Sequence, residues 1–116
     1  SHGIWHNMLA RLDRDAMRSE VAGSQRSIAE ALGAPCEVIS YPVGGVDAYD
    51  DEVIAAAREA GFVLGCSYVS GTNRLPPRAP FALRRLAVER HMDGAWFAAL
   101  VGLPEAFSYP SRQRIG

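Results

Sequence analysis

The sequence predicts an α/β domain with a mainly parallel sheet, either open or closed into a barrel. Three observations predict it. Two helical patterns end at glycines, each is followed within a few residues by an apolar run, and the second run is apolar almost throughout. Strands of that kind are covered on both faces, as in parallel sheets flanked by helices. A chain of 116 residues holds one core, so residues 1–116 are taken as a single domain with 103–116 as a coil tail.

The elements follow in order. Met17, Val21, Ile28 and Leu32 recur at helical spacing, Asp13 can cap their start, and Gly33 suits a left-handed stop. "EVISYP" is a short β-branched strand ended by Pro42, and "VGGVD" is the turn after it. Asp47 or Asp50 caps a second helix, "DDEVIAAAREAG", closed by Gly61. "FVLGCSYV" is the second strand, and "SGTNRLPPRAP", with its three prolines, is a loop. "FALRRLAV" is a third short strand or extended segment. Asp93 caps a last helix, "GAWFAALVG", whose Trp96, Phe97, Leu100 and Val101 share one apolar face. No strand pattern precedes the first helix, and "SHG" reads as the end of one. The fold is therefore expected to start part-way.

Composition removes several function classes. The hydrophobic fraction is 48% against 22% charged, that of an ordinary globular chain. A net charge of -1, with the arginines dispersed and no lysine, gives no basis for binding nucleic acid or an anionic membrane. No apolar run approaches the roughly 20 residues of a bilayer span, and no secretory signal pattern opens the chain. These absences favour a cytoplasmic location without fixing the compartment. Cys36 and Cys66 each lie in or beside an apolar run. Buried free thiols are the simple expectation, a disulfide between neighbouring strands is the alternative, and CxxC metal spacing is absent.

The chemistry-bearing residues open the chain. In "SHGIWHNML", His2 and His6 have a spacing at which two imidazoles can converge on one metal. Two exposed polar residues, or a cloning remnant, are the alternatives.

Four segments in register carry a resemblance that favours the metal. "SHGIWHNML", "EVAGSQRSIAEALG", "ISYPVGG" and "REAGFVLG" fall in the order and spacing of the polysaccharide deacetylase family, the NodB-like domain of carbohydrate esterase family four. "RRLAVERHMDGAWFAALVG" also resembles the closing segment of one branch, so the likeness runs from Ser1 to about Gly102. It implies a partial, distorted (β/α) barrel, incomplete at its N-terminal side, with the metal at the C-terminal ends of the strands. It implies His2 and His6 as ligands of a divalent metal, zinc above all. The implied reaction is metal-assisted removal of N-acetyl groups from an amino-sugar polymer. There the metal polarises the acetamide carbonyl and acidifies a water, and a carboxylate takes the proton. The Val43 N–H is the implied donor to the oxyanion. Trp5, Tyr41 and Pro42 are the implied substrate contacts, with Trp5 stacking on a sugar ring; the alternative for Trp5 is a place in the core.

Departures from the family pattern are equally specific. The family's Asp-Asp pair, which supplies the base and the third ligand, has no counterpart before His2. Asp50 and Asp51 form a visible pair, but they open a helix, where negative charge is favourable for structural reasons. Ser40 replaces the arginine that often precedes the family turn, and no late histidine motif is recognisable; His91 reads as a surface residue in a polar turn. Two imidazoles make an incomplete site, since catalytic zinc takes three protein ligands. Little or no activity is therefore expected of this chain alone, and a non-catalytic carbohydrate-binding or interaction domain on the same scaffold is the alternative. A partial barrel leaves a sheet edge uncovered, so either a homo-oligomer or an upstream segment completing the sheet is expected.

Overall fold

The computed structural model describes residues 1–108. After a short 3-10 turn at Leu9–Arg11 come α1 (Arg14–Leu32), β1 (Val38–Ser40), α2 (Asp51–Ala60), β2 (Leu64–Ser70), β3 (Leu83–Arg85), α3 (Gly94–Gly102) and α4 (Pro104–Phe107). The strands form one sheet in the order β1-β2-β3, every pairing parallel. Helix α2 makes the crossover from β1 to β2. The crossover from β2 to β3 is irregular chain.

Helix ends fall where the capping chemistry puts them. The Asp13 side chain accepts from the Ala16 N–H, and Gly33 is left-handed at φ 66°. Of the two aspartates that stood as possible caps for α2, Asp50 does the work: its Oδ1 accepts from the Val53 N–H at 2.9 Å. Asp47 instead faces Arg11 at 3.6 Å, across the gap between the turn after β1 and the 3-10 turn.

Met17 and Val21 from α1, with Val53, Ala56 and Ala57 from α2, bury Ile39 and Tyr41 together with Leu9, Phe62 and Phe81. Both helices lie on that one face. The opposite face is only partly covered, with Val38 and Tyr68 40% and 51% exposed, so the expected covering of both faces is corrected. Strand β1 is also shorter than "EVISYP": it spans Val38–Ser40, the Tyr41 N–H still donates to the Cys66 oxygen at 3.1 Å, and Pro42 has no N–H to carry the ladder further. Cys36 is buried and both cysteines are free thiols.

Two C-terminal expectations change. The shared apolar face of α3 is not buried: Leu100 is enclosed, but Phe97 and Val101 are exposed. Residues 103–116 were expected to be coil, yet Pro104–Phe107 form a helical turn that starts on the proline, whose fixed φ suits a first helical position. The Thr72 hydroxyl donates to Glu105 at 3.0 Å, tying this turn to the loop after β2. The rest of the expected tail, 109–116, lies outside the described residues. Among the described residues no helix is long and apolar enough to cross a membrane.

Candidate active site

The chain ahead of α1 lies along the free edge of β1. The Ser1 amine donates to the Val38 oxygen at 2.8 Å and the Ser40 N–H donates to the Ser1 oxygen at 2.8 Å, which is how a neighbouring parallel strand would pair. That pairing delivers His2 to the C-terminal end of β1. There its Nδ1 is 2.7 Å from the Ser40 oxygen. A carbonyl oxygen only accepts, so Nδ1 carries a proton, and in the neutral ring Nε2 is the nitrogen with the lone pair.

His6 returns to the same place. Its ring centroid lies 4.8 Å from that of His2, tilted by 58°. Two imidazoles bound to one ion at about 2.0–2.1 Å have centroids roughly 5 Å apart, a separation close to that of this pair. The orienting carbonyl on the far nitrogen of His2 is the usual support for a ligating histidine. No set of three or more His, Cys, Asp or Glu able to hold a metal occurs among the described residues.

The segment between the histidines is shaped by α1. Glu20 is 5% exposed, and its Oε2 accepts from the Ile4 N–H at 2.8 Å and the Trp5 N–H at 3.1 Å. Gly3 is left-handed at φ 72°, a backbone that favours glycine, and a Cβ there would also sit 2.9 Å from that same oxygen. Gly23 likewise leaves room for the Ile4 side chain, whose Cδ1 a Cβ there would meet at 2.7 Å. Glu20 escaped the sequence reading. Its signal was present: a carboxylate three residues after Met17 and one before Val21 lies on the apolar stripe of α1, and such a group needs buried partners.

Trp5 is 78% exposed beside the histidines, which removes the core alternative for it. Tyr41 and Pro42 are fully enclosed. The Tyr41 hydroxyl donates to the Phe81 oxygen at 2.7 Å and its ring stacks on Tyr49 at 4.4 Å. Burial, with Tyr49 and Cys66 nearby, pushes the Tyr41 phenol well above its ordinary range, so it remains a neutral donor. Both residues shape the turn from beneath rather than line its surface.

Val43 has φ 67°. The left-handed region is strained for a β-branched residue, and strain of this kind collects at functional turns. Its N–H has no hydrogen-bond partner among the described residues. Gly44 pins the turn to β2 through its oxygen, which accepts from the Tyr68 N–H at 2.7 Å. The Arg85 guanidinium lies 5.2 Å from the Tyr68 ring centre, so β2 and β3 present an aromatic and a cation at the same end of the sheet. His91 is exposed and edge-on to Trp96 at 5.5 Å. The Asp50 and Asp51 pair is spent on the start of α2.

The sequence profile of the polysaccharide deacetylase family matches residues 1–65, more than half of the 116. The chain belongs to the polysaccharide deacetylase family. The matched span of this deacetylase-family chain contains both histidines, Glu20 and the Val43 turn. It is similar to YxkH of Bacillus subtilis, itself named as a polysaccharide deacetylase, at 31% identity over 101 residues, 87% of this chain. It also shares its fold with the Streptococcus pyogenes deacetylase PplD, solved in complex with acetate, at TM-score 0.73 and 19% identity over 95% of this chain. The chain spans 35% of the length of YxkH and 44% of the PplD chain.

Proposed function

We propose that this chain carries the two-histidine part of a divalent-metal site, with zinc as the metal, in a polysaccharide deacetylase that removes N-acetyl groups from an amino-sugar polymer. The sheet and its helices form an arc of a distorted barrel, with the site at the C-terminal ends of the strands. One observation carries the reading: His2 and His6 lie ring to ring, with His2 turned by the Ser40 oxygen so that Nε2 is left for a ligand.

A divalent ion at that place supplies a Lewis acid that polarises an acetamide carbonyl and acidifies water. The chain's own groups do the rest of what falls to it. The Val43 N–H, held at the end of β1 without a protein partner, donates to the oxyanion that develops as the carbonyl is attacked. The left-handed turn fixes that donor in advance, so no reorganisation is needed when charge appears. Trp5 offers an exposed apolar face for a sugar ring beside the imidazoles. Tyr41 and Pro42 serve the substrate by holding the shape of the Val43 turn. No third His, Cys, Asp or Glu joins the two histidines in a metal-holding group among the described residues. The chain as it stands is therefore expected to hydrolyse acetamides little or not at all. The sheet edge and the half-covered face are expected to be completed by further chain or by a second copy.

The test combines zinc and glycan binding. Isothermal titration of the chain with zinc should give binding that either His2→Ala or His6→Ala abolishes. The exposure of Trp5 favours a second reading, a carbohydrate-binding domain without catalysis. N-acetylglucosamine oligomer binding that survives both chelation and His2→Ala, in a chain that takes up no zinc, would establish that reading in place of the first.

A further inference from the structure

We infer that Glu20 is the positioning residue of the histidine loop, holding the backbone from which His6 reaches the ion it shares with His2. This rests on the metal reading of the two histidines. The two rings are fixed by different means. His2 has its own anchor, the bond from Nδ1 to the Ser40 oxygen. The His6 ring makes no hydrogen bond among the described residues, and its position follows from a left-handed backbone at φ 59°. The two N–H groups immediately before it, those of Ile4 and Trp5, both end on Glu20 Oε2.

The carboxylate has no other described use. It is buried on the apolar stripe of α1, and no cation pairs with it among the described residues. A buried carboxylate is costly unless it is hydrogen-bonded. Its two partners are consecutive amides of a loop with left-handed residues at both ends, Gly3 at φ 72° and His6 at φ 59°. Such a loop has no repeating ladder to hold its shape. A single acceptor oxygen beneath it replaces that ladder.

The test uses the whole chain, zinc alone as probe, and two readouts: the dissociation constant by titration, and folding by circular dichroism. Partners bonded directly to a ligating ring change metal affinity roughly 10- to 100-fold when removed. Glu20 acts one step further out, on the loop amides, so a loss of about 10-fold, the low end, is expected for Glu20→Leu with the fold retained. Glu20→Gln keeps a carbonyl oxygen able to accept from both amides, so it should rescue affinity to within a few-fold. Gly3→Val leaves the carboxylate in place but drives the loop off it, and should weaken zinc about as much as Glu20→Leu. Unchanged affinity in Glu20→Leu, or a Gln variant as weak as the Leu variant, overturns the inference while leaving the metal site standing. If Glu20→Leu does not fold, unchanged affinity in Gly3→Val overturns it. Absence of histidine-dependent zinc binding in the unaltered chain overturns the metal reading and this inference together.

Discussion

The His2 imidazole donates from Nδ1 to the main-chain oxygen of Ser40 at 2.7 Å, joining the first residues of the chain to the end of β1. The bond couples this imidazole to the sheet itself. It also puts the histidine pair at the same end of β1 as the Val43 turn, three residues further on. The histidine pair and the Val43 turn thus share one short strand as their common support.

The Val43 turn is set by backbone rather than by its side chain. A half-buried valine replaced by glycine ordinarily destabilises a fold through lost burial and added chain entropy. Here the left-handed strain, of order 1–3 kcal/mol for a residue so placed, is relieved at the same time. Val43→Gly should therefore be as stable as the parent, or up to about 1 kcal/mol more so. Urea unfolding measures it. A loss above about 2 kcal/mol would mean that packing of the valine, not the turn geometry, fixes this conformation.

Tyr41 gives a pH signature. Its folded-state affinity for the proton is raised above the ordinary value of 10.0, mainly by burial. Below that value both folded and unfolded phenols are neutral, and the contribution to stability is fully present. As pH climbs past about 10, the unfolded chain loses the proton first and stability falls. Tyr41→Phe should lower stability by about 1–3 kcal/mol near neutrality, because the Phe81 oxygen loses its donor. It should also flatten the alkaline decline. Unfolding curves at neutral pH and at about pH 10.5 test both effects, and an equally steep decline in the variant would contradict the assignment.

The adjacent aspartates at the start of α2 separate structure from chemistry. Asp50 caps the helix through the Val53 N–H. Asp50→Ala should cost about 1 kcal/mol of stability and leave zinc affinity untouched. Thermal melts and metal titration of the same sample check the pair of outcomes. A large fall in zinc affinity would bring this carboxylate into the site.

What was legible in the sequence was what depends on near neighbours along the chain. The ends of α1 were readable because Asp13 and Gly33 act on residues within one turn of themselves. The parallel sheet was readable from apolar runs alternating with helices. Glu20 was not, because its partners lie 15 and 16 residues away and its own segment reads as a helix with one polar residue out of place. The burial of Tyr41 was missed for a similar reason: its hydroxyl reaches Phe81, forty residues on, so a turn tyrosine that looks available to substrate belongs to the core. The apolar face of α3 was read correctly as a pattern, but pattern alone does not say what covers it.

Zinc titration followed on the histidine ring nitrogens by NMR reads out whether the two imidazoles hold one ion. His2 and His6 should respond together with one apparent affinity, His2 binding through Nε2 while Nδ1 keeps its proton, and removing either ring should release the other. Rings that respond independently, or a chain whose histidine signals ignore zinc altogether, would contradict a shared ion.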